Sequence, residues 1–364
     1  MPLLHDTPNR PEDPRRSPEP SGSERTCSRS PASGREPLDL VSPIPISPVP
    51  TALLPESLTD PSSVMMAPFD PASFSEERFV LDCRGRMLDC RPGRDRGAHV
   101  MGILNTTPDS FSDGGQFVAV EDAVSRTAEM LSEGASIIDV GGESTRPGAD
   151  PVTADEEQDR VVPVIEAISA EFPDALISID TYKPTVAEAA LDAGAHIVND
   201  VTGLREHPET ASVAADYGAP MVVMHSVNEP GALTEAQDYD DVTEDVESSI
   251  RSSLDIAVDA GVSDLITDPG FGFGKTVEDN LRLVNTVDRL LDLNRPVLVG
   301  ISRKSTIGRL LGSNDGPRPV DQRLFGSLGA TAPAVMRGAT IVRTHDVAPT
   351  VDFLKVLGAT MQHR

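Results

Sequence analysis

LISIDTYKPTVAEAALDAGAHIVND, residues 176–200, contains one complete unit of the fold. LISID and HIVND are short, nearly continuous apolar runs, and each ends on an aspartate, Asp180 and Asp200. The segment between them has helical spacing, with Pro184 at its start and Gly194 at its end. A half-exposed antiparallel strand would alternate polar and apolar residues. Runs that are apolar on both faces and joined by a helix read instead as parallel strands with a crossover.

The same unit recurs outward in both directions. The other apolar runs are HVMGILN (99–105), SIIDV (136–140), PMVVMH (220–225), LITDP (265–269), PVLVGIS (296–302) and TIVRTHD (340–346). Helical patterns are expected over 119–133, 153–171, 184–193, 207–217, 242–260, 277–293, 321–337 and 347–360. Thr153 and Glu156 have capping-box spacing. Gly134, Gly194, Gly218 and Gly261 stand where helices should stop. Eight strand–helix units are the closure number of a (β/α)8 TIM barrel, an α/β fold, and a doubly wound open sheet has no reason for eight similar repeats. The barrel is expected over 78–364, with RFVLDCRGRMLDC (78–90) as a hairpin plugging its N-terminal end.

Residues 1–60 hold 13 of the 32 prolines, so 1–77 reads as a disordered Pro/Ser-rich extension. The net charge of −27 argues against nucleic acid and anionic membranes as partners and suits a surface solvated at high salt. Lysine occurs only at 183, 275, 304 and 355. Cys27, Cys83 and Cys90 show no metal-ligand spacing and imply a reducing, cytoplasmic setting. No apolar run is long enough to span a bilayer.

DPGFGFGKT (268–276) looks at first like a phosphate loop. A P-loop needs a glycine five positions before the one that precedes lysine, and counting back from Gly274 gives Pro269. The chemistry lies elsewhere, at the strand ends: Asn105, Asp139, Asp180, Asn199, His225, Asp268, the Ser302–Ser305 segment, and Arg343 with His345. In a closed barrel these converge on one rim. Asp180, Asn199 and Asp268 as acceptors, with Lys304 as donor, suit a flat heterocycle whose edge carries N–H donors beside a carbonyl. Arg343, His345 and the neutral oxygen of Asn105 suit a diphosphate with Mg²⁺. Two post-strand segments, 105–117 and 141–151, carry Phe111, Asp113, Thr145 and Arg146 and read as lids over that rim.

MGILNTTPDSFSDGG, IIDVGGESTRPGA, SIDTYKP, GAHIVNDVTG, DPGFGFGKT, GISRKSTIG and IVRTHDV, in this order over about 98–358, resemble dihydropteroate synthases. The resemblance implies condensation of 6-hydroxymethyl-7,8-dihydropterin diphosphate with 4-aminobenzoate by an SN1-like path. It also implies that Asp180, Asn199, Met224, Asp268 and Lys304 hold the pterin, and that Asn105, Thr145, Arg343 and His345 hold the diphosphate. Asn105 is then the Mg²⁺ ligand, and Asp139 lies beneath the site. The aminobenzoate pocket comprises Phe111, Thr145, Pro147, Phe273 and Ser305, while Asp113, Arg146, Asp180 and Lys304 take part in the chemistry. A homodimer formed through the small-residue segment 326–338 is also implied. The alternatives are the pterin-binding domain of a methyltetrahydrofolate methyltransferase, which has no diphosphate to release, and a non-catalytic pterin-binding protein.

Overall fold

The computed structural model describes residues 76–92, 97–106, 115–144, 151–228 and 235–362. Apart from positions 76 and 77, the expected disordered extension lies outside these residues. After a 3-10 turn at Glu76–Phe79, β1 (Val80–Asp82) and β2 (Met87–Asp89) form an antiparallel hairpin. There follow β3 (His99–Asn105), α1 (Gly115–Glu133), β4 (Ile137–Gly141), α2 (Ala154–Glu171), β5 (Leu176–Asp180) and α3 (Pro184–Asp192). The chain continues through β6 (Ile197–Asp200), α4 (Thr210–Asp216), β7 (Met221–Met224), α5 (Val242–Asp259) and β8 (Leu265–Asp268). It ends with α6 (Val277–Val284), α7 (Val287–Leu291), β9 (Leu298–Val299), α8 (Ser305–Leu310), α9 (Leu324–Met336), β10 (Ile341–Thr344) and α10 (Val347–Gln362).

All eight strands from β3 onward are parallel, in the spatial order β8-β7-β6-β5-β4-β3-β10-β9. A parallel bridge between Thr267 and Val297 joins β8 to β9 and closes the barrel. Inside its N-terminal end, each strand contributes one apolar residue to a single layer: Met101, Ile137, Leu176, Ile197, Val222, Ile266, Leu298 and Ile341. The hairpin covers that layer with Leu81, Cys83, Leu88 and Cys90, so the plug is present. Both hairpin cysteines are free and buried. Arg84 pins the plug, donating to the carbonyls of Leu191, at 2.7 Å, and Ala195.

Alternate strand residues, among them Ile138, Ile177, Val198 and Val223, face outward and pack under helix residues such as Ile165, Ala190, Ala214 and Ile250. This two-sided burial is why the strands read as continuous apolar runs. The four expected helix-stop glycines all adopt positive φ, between 61° and 113°. Among the described residues no helix is long and apolar enough to cross a membrane.

Four local expectations are corrected. The run 296–302 yields only a two-residue strand, because Pro296 offers no N–H and the chain turns away after Val299 into a bend where Arg303 has φ 58°. The helix expected over 277–293 breaks at Asn285–Thr286, whose side chains donate to the carbonyls of Leu281 and Arg282 and so end α6. The pattern over 321–337 becomes a 3-10 turn followed by α9, and the short α8 precedes it. At Thr153 only half of a capping box forms: its hydroxyl accepts from Glu156 N, while the Glu156 carboxylate pairs with Arg160. The reciprocal box occurs instead at Thr276 and Asp279.

Candidate active site

Strand register assembles the site. Asn105 is the partner of Gly141, Gly141 of Asp180, and Asp180 of Asn199, so three of the expected polar residues lie at one level of the barrel. Arg343 on β10 is the partner of Met101, and its long side chain crosses the interior from there. Its Nε donates to Asp139 at 2.6 Å and its Nη2 to Asp180 at 2.6 Å. Asp139, fully buried within β4, also accepts from Asn199 Nδ2 at 3.2 Å. One guanidinium thus ties together three strands, and Asn199 is oriented by the same carboxylate.

Burial works against the Arg343 charge, but Asp139 and Asp180 outweigh it and hold the guanidinium protonated. Asp180 is pushed up to about 7, first by burial, with Arg343 pulling it back and Asp139 adding to the rise. Asp268, at the end of β8, is raised by burial; Lys304 and the Gly270 N–H, which donates to it at 2.7 Å, hold it down. Lys304 is lowered to about 7 by burial, with Asp268 opposing and Arg343 reinforcing. A Cβ added to Gly300 would stand 3.8 Å from Lys304 Nζ and 4.0 Å from Arg343 Cβ, so these two cationic side chains border one space, and Asp268 acts on the charge of both.

Lys304 stands at the N-cap of α8 and donates to the Phe271 carbonyl, with its Nζ 4.0 Å from the Phe273 ring centroid. Phe273 packs with Met224 and Val201 into a small apolar wall. The glycines of the β8–α6 loop are required here. Gly270 and Gly272 have φ of 67° and 82°, and an added Cβ would stand 2.0 Å from the His225 carbonyl oxygen or 2.6 Å from Lys304 Cδ. Ser305 is the exposed first residue of α8. His345 lies just beyond β10, with Nδ1 3.1 Å from Ser302 Oγ, which also accepts the His345 backbone N–H at 3.2 Å. Phe111, Asp113, Thr145, Arg146 and Pro147 lie outside the described residues.

The sequence reading did not anticipate several partners. Ser302 orients His345, and Arg303 pairs with Asp346. Lys183 bonds Glu157 at 2.6 Å and also Glu143, and Arg160 donates to the Gly142 carbonyl at 2.8 Å, so the foot of the β4–α2 loop is fixed. Lys275 is buried against His225. The scarcity of lysine was the one signal pointing to Lys183 and Lys275.

A closed parallel barrel with acidic and cationic groups facing each other at its C-terminal rim defines a small-molecule enzyme. Residues 101–345 match the family described as pterin binding enzyme. The chain is 47% identical over 265 residues to the dihydropteroate synthase of Escherichia coli K12, covering 72% of this chain and 92% of that protein. It is 48% identical over 287 residues to the probable bifunctional folylpolyglutamate synthase/dihydropteroate synthase of Haloferax volcanii, covering 78% of this chain but only 33% of that longer protein. The solved dihydropteroate synthase of Xanthomonas albilineans with 4-aminobenzoic acid superimposes with a TM-score of 0.69 at 45% identity, covering 78% of this chain and 98% of that one. The chain therefore belongs to the dihydropteroate synthase family.

Proposed function

We propose that the chain condenses 6-hydroxymethyl-7,8-dihydropterin diphosphate with 4-aminobenzoate, releasing 7,8-dihydropteroate and diphosphate. The observation that carries this is the Arg343 bridge to Asp139 and Asp180, set beside Asp268 and Lys304, whose charges act on each other. Asp268, Asn199 and Lys304 read the pterin edge, and Met224 packs on its face. With Nε and Nη2 of Arg343 held by carboxylates, Nη1 is the group that can face a diphosphate. Ser302 Oγ accepts the His345 backbone N–H and can donate its own proton to Nδ1. That places the imidazole N–H on Nε2, a donor toward the leaving group.

The C–O bond to the leaving group breaks and its electron pair departs with the diphosphate, against the charge of Arg343. The carbocation left on the exocyclic carbon is spread into the dihydropterin and faces the Asp180 carboxylate. The amine of 4-aminobenzoate then forms the C–N bond and sheds a proton. Both halves of the dissociating bond meet fixed opposite charge, which favours an SN1-like path. Phe273 and Ser305 wall the aminobenzoate, and the family resemblance assigns Phe111, Asp113, Thr145, Arg146 and Pro147, which lie outside the described residues, to the same two substrates.

Among the described residues no group of three His, Cys, Asp or Glu side chains is arranged to hold a metal. The neutral oxygen of Asn105 fits Mg²⁺ that arrives on the substrate, since that ion keeps waters and phosphate oxygens as most of its ligands. Bound there, Mg²⁺ supplies charge neutralisation to the diphosphate. A homodimer through the α9 region accords with Phe325, which is 84% exposed on that helix.

Diphosphate release by the full chain, measured with and without 4-aminobenzoate, tests the assignment. Release that requires 4-aminobenzoate and matches dihydropteroate formed mole for mole is expected. Release indifferent to 4-aminobenzoate, or no dihydropteroate, overturns it.

A further inference from the structure

The lysine of the GFGFGKT stretch has no role in the chemistry above, yet it is one of four in the chain and only 4% exposed. Its ammonium makes three bonds: to His225 Nδ1 at 2.8 Å, to the Gly270 carbonyl at 3.0 Å and to the Phe273 carbonyl at 2.8 Å. Three donors meet three acceptors, so the group is saturated. Among the described residues neither Lys275 nor Lys304 forms an ion pair. Burying an ammonium without a carboxylate in contact is costly, and a plain turn would not need it.

What the ammonium holds is specific. Gly270 and Phe273 bracket the residue whose carbonyl, Phe271, is taken by Lys304. One short loop is therefore gripped by two ammonium groups, Lys275 through Gly270 and Phe273, Lys304 through Phe271. His225 follows β7 and lies 50 residues away in sequence, so the contact also ties the loop to the neighbouring strand end. On the other side, Gly272 N donates to Asn280 Oδ1 at 2.6 Å, and Asn280 Nδ2 donates to Thr306 on α8 at 3.0 Å. Asp268 accepts from Gly270 N at the end of its strand, so Lys275 reaches it only indirectly, through Gly270.

We propose that Lys275, seated on His225, is a positioning residue that sets the Phe273 wall of the aminobenzoate pocket, and does so without touching substrate. The proposal rests on the synthase reading given above. Because Lys275 bonds Phe273 directly but reaches Asp268 only by way of Gly270, removing the ammonium shifts the Phe273 wall more than the Asp268 reader.

The test is a steady-state comparison of full-length variants with both substrates varied. Lys275→Met is expected to raise KM for 4-aminobenzoate about tenfold while KM for the pterin diphosphate moves less than about threefold, since one set of oriented contacts is lost. His225→Leu, which leaves the ammonium one acceptor short, should raise the same KM by a similar factor. His225→Gln, whose amide oxygen restores an acceptor, should recover most of that loss. The His225 pair keeps the comparison decisive where Lys275→Met does not fold. Equal rises in both KM values, a loss confined to kcat, unchanged kinetics, or identical behaviour of the Leu and Gln variants each overturn the proposal. An inactive wild-type chain would instead refute the synthase reading itself.

Discussion

Asp139→Asn isolates the bridge at the centre of the site. Asp139 is wholly buried and serves two donors, Arg343 Nε at 2.6 Å and Asn199 Nδ2 at 3.2 Å. An asparagine whose oxygen takes the Oδ2 place accepts from both donors, but its NH₂ then stands where Oδ1 was, 3.4 Å from the NH₂ of Asn199. Relieving that conflict requires Asn199 to flip, so that it presents a donor where it had offered an acceptor to the pterin edge. A hydrogen bond to a charged group is worth about 1.5–3 kcal/mol, and an inverted reader adds an unpaired group of about 1–3 kcal/mol. Together they amount to roughly 2.5–6 kcal/mol at the transition state, or about 10²–10⁴ in kcat/KM for the pterin diphosphate at about 1.4 kcal/mol per tenfold. The assay is initial rate against pterin diphosphate at saturating 4-aminobenzoate, with circular dichroism to verify folding. A folded Asp139→Asn variant within threefold of wild type would refute this account of the bridge.

The pH profile of kcat/KM should be a narrow bell centred near 7. Asp180, raised to about 7, must lose its proton to face the cation, so activity climbs as pH rises through that value. Lys304, lowered to about 7, must keep its proton, so activity declines above it; a flat profile between pH 5 and 9 would contradict both assignments. Arg84→Asn tolerates the φ of 57° but loses the bonds to Leu191 and Ala195, and should cost about 1–3 kcal/mol in denaturant unfolding with kinetics unchanged. Chelation by EDTA should stop turnover and added Mg²⁺ restore it, with titration calorimetry showing weaker pterin diphosphate binding in its absence.

The barrel was legible because parallel strands buried on both faces leave unbroken apolar runs, and because eight of them point to closure. What failed was local. The backbone of 296–302 looked like a full strand, but Pro296 and the turn before Lys304 cut it short. The side chains of Asn285 and Thr286 ended a helix whose hydrophobic spacing ran on. In the site, the chemical types were readable from strand ends, whereas the pairings were not. Arg343 meets Asp139 and Asp180 across 204 and 163 residues of sequence, a contact that only the curvature of the barrel creates. Lys275 stayed unread for a similar reason: two of its partners are backbone carbonyls, which leave no mark in a residue pattern.

The most direct measurement of the central claim is a crystal structure of the full chain with a non-hydrolysable analogue of the pterin diphosphate. One ligand is expected to span the rim, with Asp268 and Asn199 hydrogen-bonded to the heterocycle and Arg343 and His345 to the diphosphate. A ligand bound elsewhere, or with its diphosphate turned toward Asp268, would contradict that claim.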